Sequence, residues 1–482
     1  MQPENLKFGG GSAESTLHPA VLVAMILAVL LIFFLRKKHV IVPVLFMSFL
    51  IPLGQQFNVG GLHVFVLRVV ILAALIRAMA SMLFSKARGF AGGFNSVDTT
   101  FFLWTFFHVV AFLILFSFQP AALANQLGFV WDILGGYLVM RFFIQEPEDI
   151  ERVIRTFAFL ATVLAICMLN ERYRMENVFG YLGAMKIVPE LRDGLVRAQA
   201  TFSHPLLAGT FGATLVPLFF WYWNSGKSKV VAVVGVLSAT TMAVCASSST
   251  PFLAYAAGVG AVFFWPFREH MRMIRWGVLI AVVALNTVMQ APVWFLISHI
   301  SVFGSSSTDH RAYLVDLFIK HFSDWWLYGT NAAGTWGWDM WDTSNQYVAE
   351  GESGGLASFI CFLVIIGLCF GRLGKARKAV EGEGKKEWSF WLLGCALFAH
   401  VIGFFGISYF DQSRMSWCAL LVMIEAATLP YLATSKEKQP ESEAVVTPEV
   451  VVEKTPVHPW LSSPSRKNLM GGPGGEFKPR RS

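Results

Sequence analysis

Apolar positions along the chain fall into long runs separated by short polar connections. The runs lie at 17–35, 40–53, 62–83, 99–118, 127–143, 153–169, 206–223, 230–246, 251–265, 276–297, 355–370, 388–405 and 415–432. About 20 residues of helix cross a hydrocarbon core about 30 Å thick. The pattern therefore predicts an all-α integral membrane protein of about 12–13 transmembrane helices. Run 40–53 is short enough to be part of a broken or re-entrant element. Two long connections interrupt the rhythm, 170–204 and 298–354, and the polar residues 435–482 follow the last run. The expected organisation is a polytopic domain over 1–434 with a tail over 435–482.

Charge orients the runs. One set of connections carries Arg36, Lys37 and Lys38; Lys86 and Arg88; Arg152 and Arg155; Lys227 and Lys229; Arg268, Arg272 and Arg275; and six basic residues between Arg372 and Lys386. The alternate short connections, 55–61, 119–125, 247–249 and 411–414, hold only Arg414. Lys and Arg concentrate in cytoplasmic loops, so the first set is expected inside and both long loops outside. The first run has Glu4 and Glu14 before it and Arg36-Lys37-Lys38 after it. A secretory signal carries its positive charge first, so this run reads as a true span with an outward N-terminus. The tail, rich in Pro, Glu, Lys, Ser and Gly, cannot bury a core and is expected to be disordered in the cytoplasm.

Composition agrees with this picture. Residues are 55% hydrophobic and 14% charged, where a soluble domain carries about 25% charged, and the mean hydropathy is +0.56. No stretch reads as a soluble catalytic domain. The net charge of +7 is spread over short connections rather than one stripe, which argues against a nucleic-acid partner. The six cysteines all fall inside apolar runs without metal-ligand spacing and read as small buried hydrophobes.

Candidate chemistry gathers on the outer side. The second long loop holds Trp325, Trp326, Trp336, Trp338 and Trp341 with Tyr313, Tyr328 and Tyr347. Such a surface serves as a lid at the membrane interface, a glycan platform, or both. Arg197 precedes the re-entry of the first loop, and Arg311 opens a helical stretch in the second. A guanidinium is a rigid fork of donors matched to phosphate oxygens. Two of them above a membrane form a candidate diphosphate clamp, unless each pairs with a nearby carboxylate such as Asp193 or Asp309. Arg68, beside His63 near the outer end of its run, adds to that site or snorkels, and Arg77 snorkels at the other end. Asp132 is an expected partner for one of the arginines within spans. The turn Ser247–Pro251 reads as a tight connection whose small hydroxyls allow close helix approach.

The stretch 197–217, RAQATFSHPLLAGTFGATLVP, resembles the signature of the O-antigen ligase and polymerase superfamily. Three further blocks follow in the family's order: the polar turn at 247–251; Arg311 with Trp326-Leu327-Tyr328-Gly329; and Ser344-Asn345-Gln346-Tyr347-Val348 with Glu352-Ser353-Gly354-Gly355-Leu356. The resemblance covers about 141–410. It implies a GT-C-like fold in a bacterial inner membrane. The implied activity is polymerisation or ligation of undecaprenyl diphosphate-linked glycan at the outer face, for exopolysaccharide or O-antigen, with neither metal nor cofactor. By position, Arg197 and Arg311, with Arg68 as a third candidate, would hold the diphosphate. His204, Asn345 and Tyr347 would be motif residues, with His204 orienting or capping. Ser344 stands where the family's loop histidine stands, and a hydroxyl is a poor base near neutrality. His310, His321 and Glu352, with Glu350 beside it, are the remaining candidate bases. The implied partners are the lipid-linked glycan, membrane lipid and polysaccharide export machinery. The alternatives are a non-catalytic component of an export machine, or a transporter with Arg68, Arg197 and Arg311 along an anion path.

Overall fold

A computed structural model describes residues 16–59, 62–85, 89–183, 185–299 and 306–437. The described residues are mostly helical, as the apolar runs predict. In chain order the helices are α1 (Pro19–Phe34), α2 (Ile41–Leu50), α3 (Val66–Ser85), α4 (Ser96–Leu115), α5 (Pro120–Val130), α6 (Gly136–Phe143), α7 (Pro147–Arg174), α8 (Pro205–Asn224), α9 (Lys229–Cys245), α10 (Ser249–Phe263), α11 (Met271–Val288), α12 (Ser306–Lys320), α13 (Phe322–Trp325), α14 (Gln346–Ala379), α15 (Gly384–Gly403) and α16 (Ser413–Glu437). Among the described residues, seven helices are long and apolar enough to cross a membrane, and α1, α9 and α10 are shorter apolar helices. The chain is a multi-pass membrane protein on this count. Residues 438–482, and with them nearly all of the expected tail, lie outside the described residues.

Three elements depart from simple spans. The run at 40–53 yields only the ten-residue α2, too short to cross alone. The run at 127–143 is divided by a π-helical turn, Trp131–Gly135, between α5 and α6. α14 begins nine residues before the expected 355, because the Asn345 side chain accepts the backbone N–H groups of Tyr347 (2.9 Å) and Val348 (3.3 Å) and so caps it. Inside α14, Gly355 has φ +66° and ψ −173°, which breaks the helix. A Cβ there would lie 2.7 Å from Leu327 O, so only glycine lets the loop approach. The loop docks on the break through Thr330 N to Glu352 O (2.8 Å) and Leu356 N to Trp326 O (2.8 Å).

α8 is the most buried span and packs on α9, α10 and α15. Small residues permit the approach: a Cβ on Gly209 would lie 2.5 Å from Ala246 Cβ, and one on Gly212 2.7 Å from Ala239 O. At the periphery the apolar side chains point outward, as with Val23, Ile26 and Leu27 on α1. On α11 no residue is buried. Such continuous apolar surface suits lipid rather than water.

One buried polar cluster joins α4, α6 and α16. Arg141 Nε lies 3.1 Å from both Asp98 Oδ1 and Glu425 Oε2. The Tyr137 hydroxyl lies 2.7 Å from Asp98 Oδ1 and 2.7 Å from Glu425 Oε1. A hydroxyl has one proton to donate, so one of the two carboxyl groups must donate back to it. The cluster therefore holds a proton, which brings two acids and one guanidinium to neutrality.

Candidate functional site

The segments 175–204 and 309–345 meet at one end of the bundle. Asp193 (φ +51°) and Gly194 (φ +75°) form the turn of a hairpin in which β1 (Glu190–Arg192) pairs antiparallel with β2 (Leu195–Arg197), Glu190 opposite Arg197. An Asp-Gly pair takes this left-handed turn readily. The chain after β2 is tied down at each step. Ala198 N donates to Cys245 O (3.1 Å). Gln199 N and Ala200 N donate to the buried Glu171 carboxylate at 2.9–3.1 Å. Thr201 Oγ1 donates to Phe49 O (2.7 Å), and Ser203 N to Asp411 Oδ2 (3.0 Å). His204 then caps α8, its Nδ1 accepting Leu206 N–H at 3.2 Å, with Pro205 in the first turn. An accepting Nδ1 leaves the proton of the neutral ring on Nε2.

Around this anchored strap lies a cavity of about 510 Å³, lined by Lys186, Glu190, Gln199, Thr201, Ser203 and His204 among others. The N-terminus of α8 opens on it, and helix N-termini attract anions. Arg197 is 4% exposed; its Nη1 donates to Glu190 Oε1 at 2.6 Å, and its Nε is buried without a partner. Its carboxylate partner is thus Glu190 and not Asp193, which sits 3.9 Å from Arg192. Arg311, on α12, is 5% exposed and makes no hydrogen bond among the described residues; its Nε is a buried orphan. Burial lowers its pKa to about 10, and the nearby charges of Arg192 and Arg197 add to that while Asp342 opposes it. Arg311 is still a cation at neutral pH. Burial, and next the charge of Arg197, lower the pKa of His204. Arg197, Arg311, Arg192, His204, Glu190 and Asp342 therefore share one electrostatic field.

The other candidates divide. Arg68 forms a bidentate pair with Asp132, Nε to Oδ1 at 3.0 Å and Nη2 to Oδ2 at 2.9 Å, and touches neither Arg197 nor Arg311 among the described residues. His310 Nε2 lies 2.9 Å from Asp342 O. A carbonyl only accepts, so Nε2 carries the proton and Nδ1 is left as the basic nitrogen. His321 belongs to a separate group: Nδ1 lies 3.0 Å from Asp324 Oδ2, and the ring stacks on Trp336 with centroids 5.1 Å apart. Glu352 Oε2 accepts from Thr343 Oγ1 (2.7 Å), and its Oε1 is buried without a partner. Ser344 is buried, beside Asp342. The side chains of Asn345 and Tyr347 are engaged in the fold, Asn345 as the cap of α14 and Tyr347 through its hydroxyl to Val401 O (2.9 Å).

Sequence reading passed over Lys186, Glu190, Arg192 and Asp342. The alternation around Asp193-Gly194 is a hairpin signal that would have placed Glu190 across from Arg197. No local signal marks Asp342, which reaches the site from the far end of its loop. No family model matches the chain, and no curated protein matches it.

Proposed function

We propose that the protein transfers a glycan from a membrane-lipid diphosphate, of the undecaprenyl type, to an acceptor hydroxyl, as a polymerase or ligase of exopolysaccharide or O-antigen. On this reading it is a metal-independent glycosyltransferase of the O-antigen ligase kind, its site at the outer face of a bacterial inner membrane. The observation that carries the reading is Arg311: a buried guanidinium with no hydrogen-bonded counter-ion among the described residues. Buried charges are costly unless paired, so an anion is the missing partner. Arg197 and the His204 ring, which caps α8, lie in the same electrostatic field as Arg311. A diphosphate beside a lipid tail suits two buried guanidinium groups outside the spans.

In the proposed step the acceptor oxygen attacks the anomeric carbon. The bond from that carbon to the phosphate oxygen breaks, and the lipid diphosphate leaves with the electron pair. Arg197 and Arg311 stabilise the charge that develops on it, the larger catalytic contribution in such reactions. The acceptor proton passes to a base. His310, with its proton on Nε2 toward Asp342 O and Arg311 next to it in the chain, is the first choice. Glu352, with Oε1 unpartnered, is the second. His321 is held in its own group with Asp324 and Trp336.

The test is transfer by protein reconstituted with labelled undecaprenyl diphosphate oligosaccharide. Wild type is expected to lengthen or transfer the glycan, and Arg197→Ala and Arg311→Ala each to slow it about 10²–10³-fold. Full activity in Arg311→Ala would overturn the arginine site. Absence of product from folded wild type over several donors would overturn the transferase reading in favour of an export component.

A further inference from the structure

Within the loop 321–345, Trp325 and Trp336 pack inward. Trp325 Nε1 donates to Phe318 O (2.8 Å), and its ring stacks on Phe318. Trp336 Nε1 donates to Asp324 Oδ2 (3.2 Å), and its ring stacks on His321. Trp338 and Trp341 do the opposite: they are 91% and 76% exposed. They stand at the two ends of the turn 338–341. That turn is firmly seated. Met340, between them, is buried in the loop's own apolar core with Leu314, Phe318 and Trp325. Gly337 lies against α12, where a Cβ would come 3.2 Å from Leu317 Cδ1. His310 Nε2 donates to Asp342 O (2.9 Å), which ties the turn to α12 beside Arg311. Thr343 Oγ1 donates to Glu352 Oε2 (2.7 Å) and ties the next residues to α14.

Two large rings held outward on a fixed seat contribute little to the core and mark a contact surface. Charge selects the occupant. From His321 to Gly371 the chain has no Lys or Arg. The polar neighbours of the two rings are Asp339, partly exposed, and Asp342, exposed. An interfacial anchor combines Trp with Lys or Arg, which anionic headgroups attract. Here such headgroups would meet two carboxylates. A neutral ring with C–H faces and hydroxyls at its edge suits both kinds of group. Its face covers an indole, and its hydroxyls donate to a carboxylate in charge-assisted bonds. Two indoles three residues apart serve neighbouring residues of one chain. We propose that Trp338 and Trp341 form a platform for a neutral oligosaccharide, with Asp339 and Asp342 accepting from its hydroxyls. Its place in turnover, holding the glycan chain beside Arg311, rests on the glycan-transfer reading; binding itself does not.

The full-length protein in lipid nanodiscs would be titrated with cellohexaose, maltohexaose, laminarihexaose and chitohexaose, with ligand-detected saturation-transfer NMR as the readout. At least one is expected to bind saturably. Trp338→Ala and Trp341→Ala are each expected to weaken binding about tenfold, the loss of one covered ring face, with the melting midpoint unchanged because both side chains are exposed. Phe at either position is expected to restore most of the binding. Equal binding by wild type and the double Ala variant would overturn the proposal, as would no binding of any of the four. A nitroxide on Trp341→Cys, in a cysteine-free background, tests the lipid alternative. It is expected to be relaxed more by an aqueous nickel chelate than by oxygen, and the reverse would put the turn in the membrane and overturn the platform. Arg311→Ala is expected to keep oligosaccharide binding. Binding with no transfer by wild type would therefore sink the transferase reading alone, and transfer with no binding would sink the platform alone.

Discussion

At the residue scale, Arg311 sets function against stability. Its desolvated charge makes no hydrogen bond among the described residues, so Arg311→Met is expected to raise the melting midpoint, by about 1–3 kcal/mol of stability, while it lowers transfer. A drop in midpoint would show that Arg311 is structural. His204 makes a pH prediction. Burial lowers its pKa, so the unfolded chain binds more protons than the folded one between the folded value and about 6.5. The stability contributed by the neutral ring is complete above about 6.5 and is lost as pH falls toward the folded value. Protonation also turns the accepting Nδ1 into a donor and breaks the α8 cap. His204→Asn keeps a cap of the preferred type and is expected to flatten the acid limb of a melting profile between pH 7 and 5. An unchanged acid limb would place the sensitivity elsewhere. The capping role of His204 was expected from the resemblance, but its burial and the lack of a hydrogen-bond partner for Arg311 among the described residues were not legible in the sequence. An Arg near a loop end is visible there, but the absence of its partner is a fact of packing.

At the element scale, the spans were largely legible because lipid demands apolar length. Their interruptions were not, because each depends on a distant contact. Gly355 was read as the start of a span, yet it is a break within one helix, imposed by the backbone of 326–330 on the Glu352–Leu356 turn. Gly355→Ala places a Cβ against Leu327 O in a left-handed conformation. It is expected to cost at least about 1–3 kcal/mol, and to make the 326–345 segment more susceptible to limited proteolysis. The cluster on α4, α6 and α16 behaves otherwise. Arg141→Met leaves two acids facing one tyrosine and is expected to cost about 3–5 kcal/mol, whereas Glu425→Gln keeps a partner for Tyr137 and leaves Arg141 paired with Asp98, and is expected to be far milder. Melting of both variants in the same detergent compares them. Equal losses would show that the shared proton does not govern the cluster. Asp132, read as a partner for an arginine, is one: the π-helical turn carries it, and it takes the fork of Arg68.

At the scale of the whole molecule, the alternation of basic connections predicts an orientation that labelling can check. Single cysteines in place of Ser323 and Lys378 would lie at opposite ends of the bundle in a cysteine-free background. An impermeant thiol reagent added to intact cells is expected to label the first and not the second. The reverse pattern would invert the topology and move Arg197 and Arg311 to the cytoplasmic side, where a glycan on the outer leaflet could not reach them. The long loops were legible as folded surface from their aromatic content. That Arg197 and Arg311 come near one another was an expectation from their shared side of the membrane; that Arg192 and Asp342 join them was not legible, since no local pattern links residues 190–204 with 309–342.

The hairpin pair Glu190–Arg197 has a consequence for which ions the cavity accepts. Arg197 is almost wholly buried, while the Glu190 side chain is 46% exposed. Arg197 thus has an anionic partner of its own on a half-exposed side chain. A ligand enters by exchange and not by addition, since it must outcompete a tethered carboxylate already at 2.6 Å. Chloride or a lone carboxylate gains little from such a trade. On the proposed reading a diphosphate reaches Arg197 and Arg311 together and gains two partners for the one it displaces. Glu190 would then be a filter set by valence, disfavouring common monovalent ions and yielding to a multiply charged lipid head.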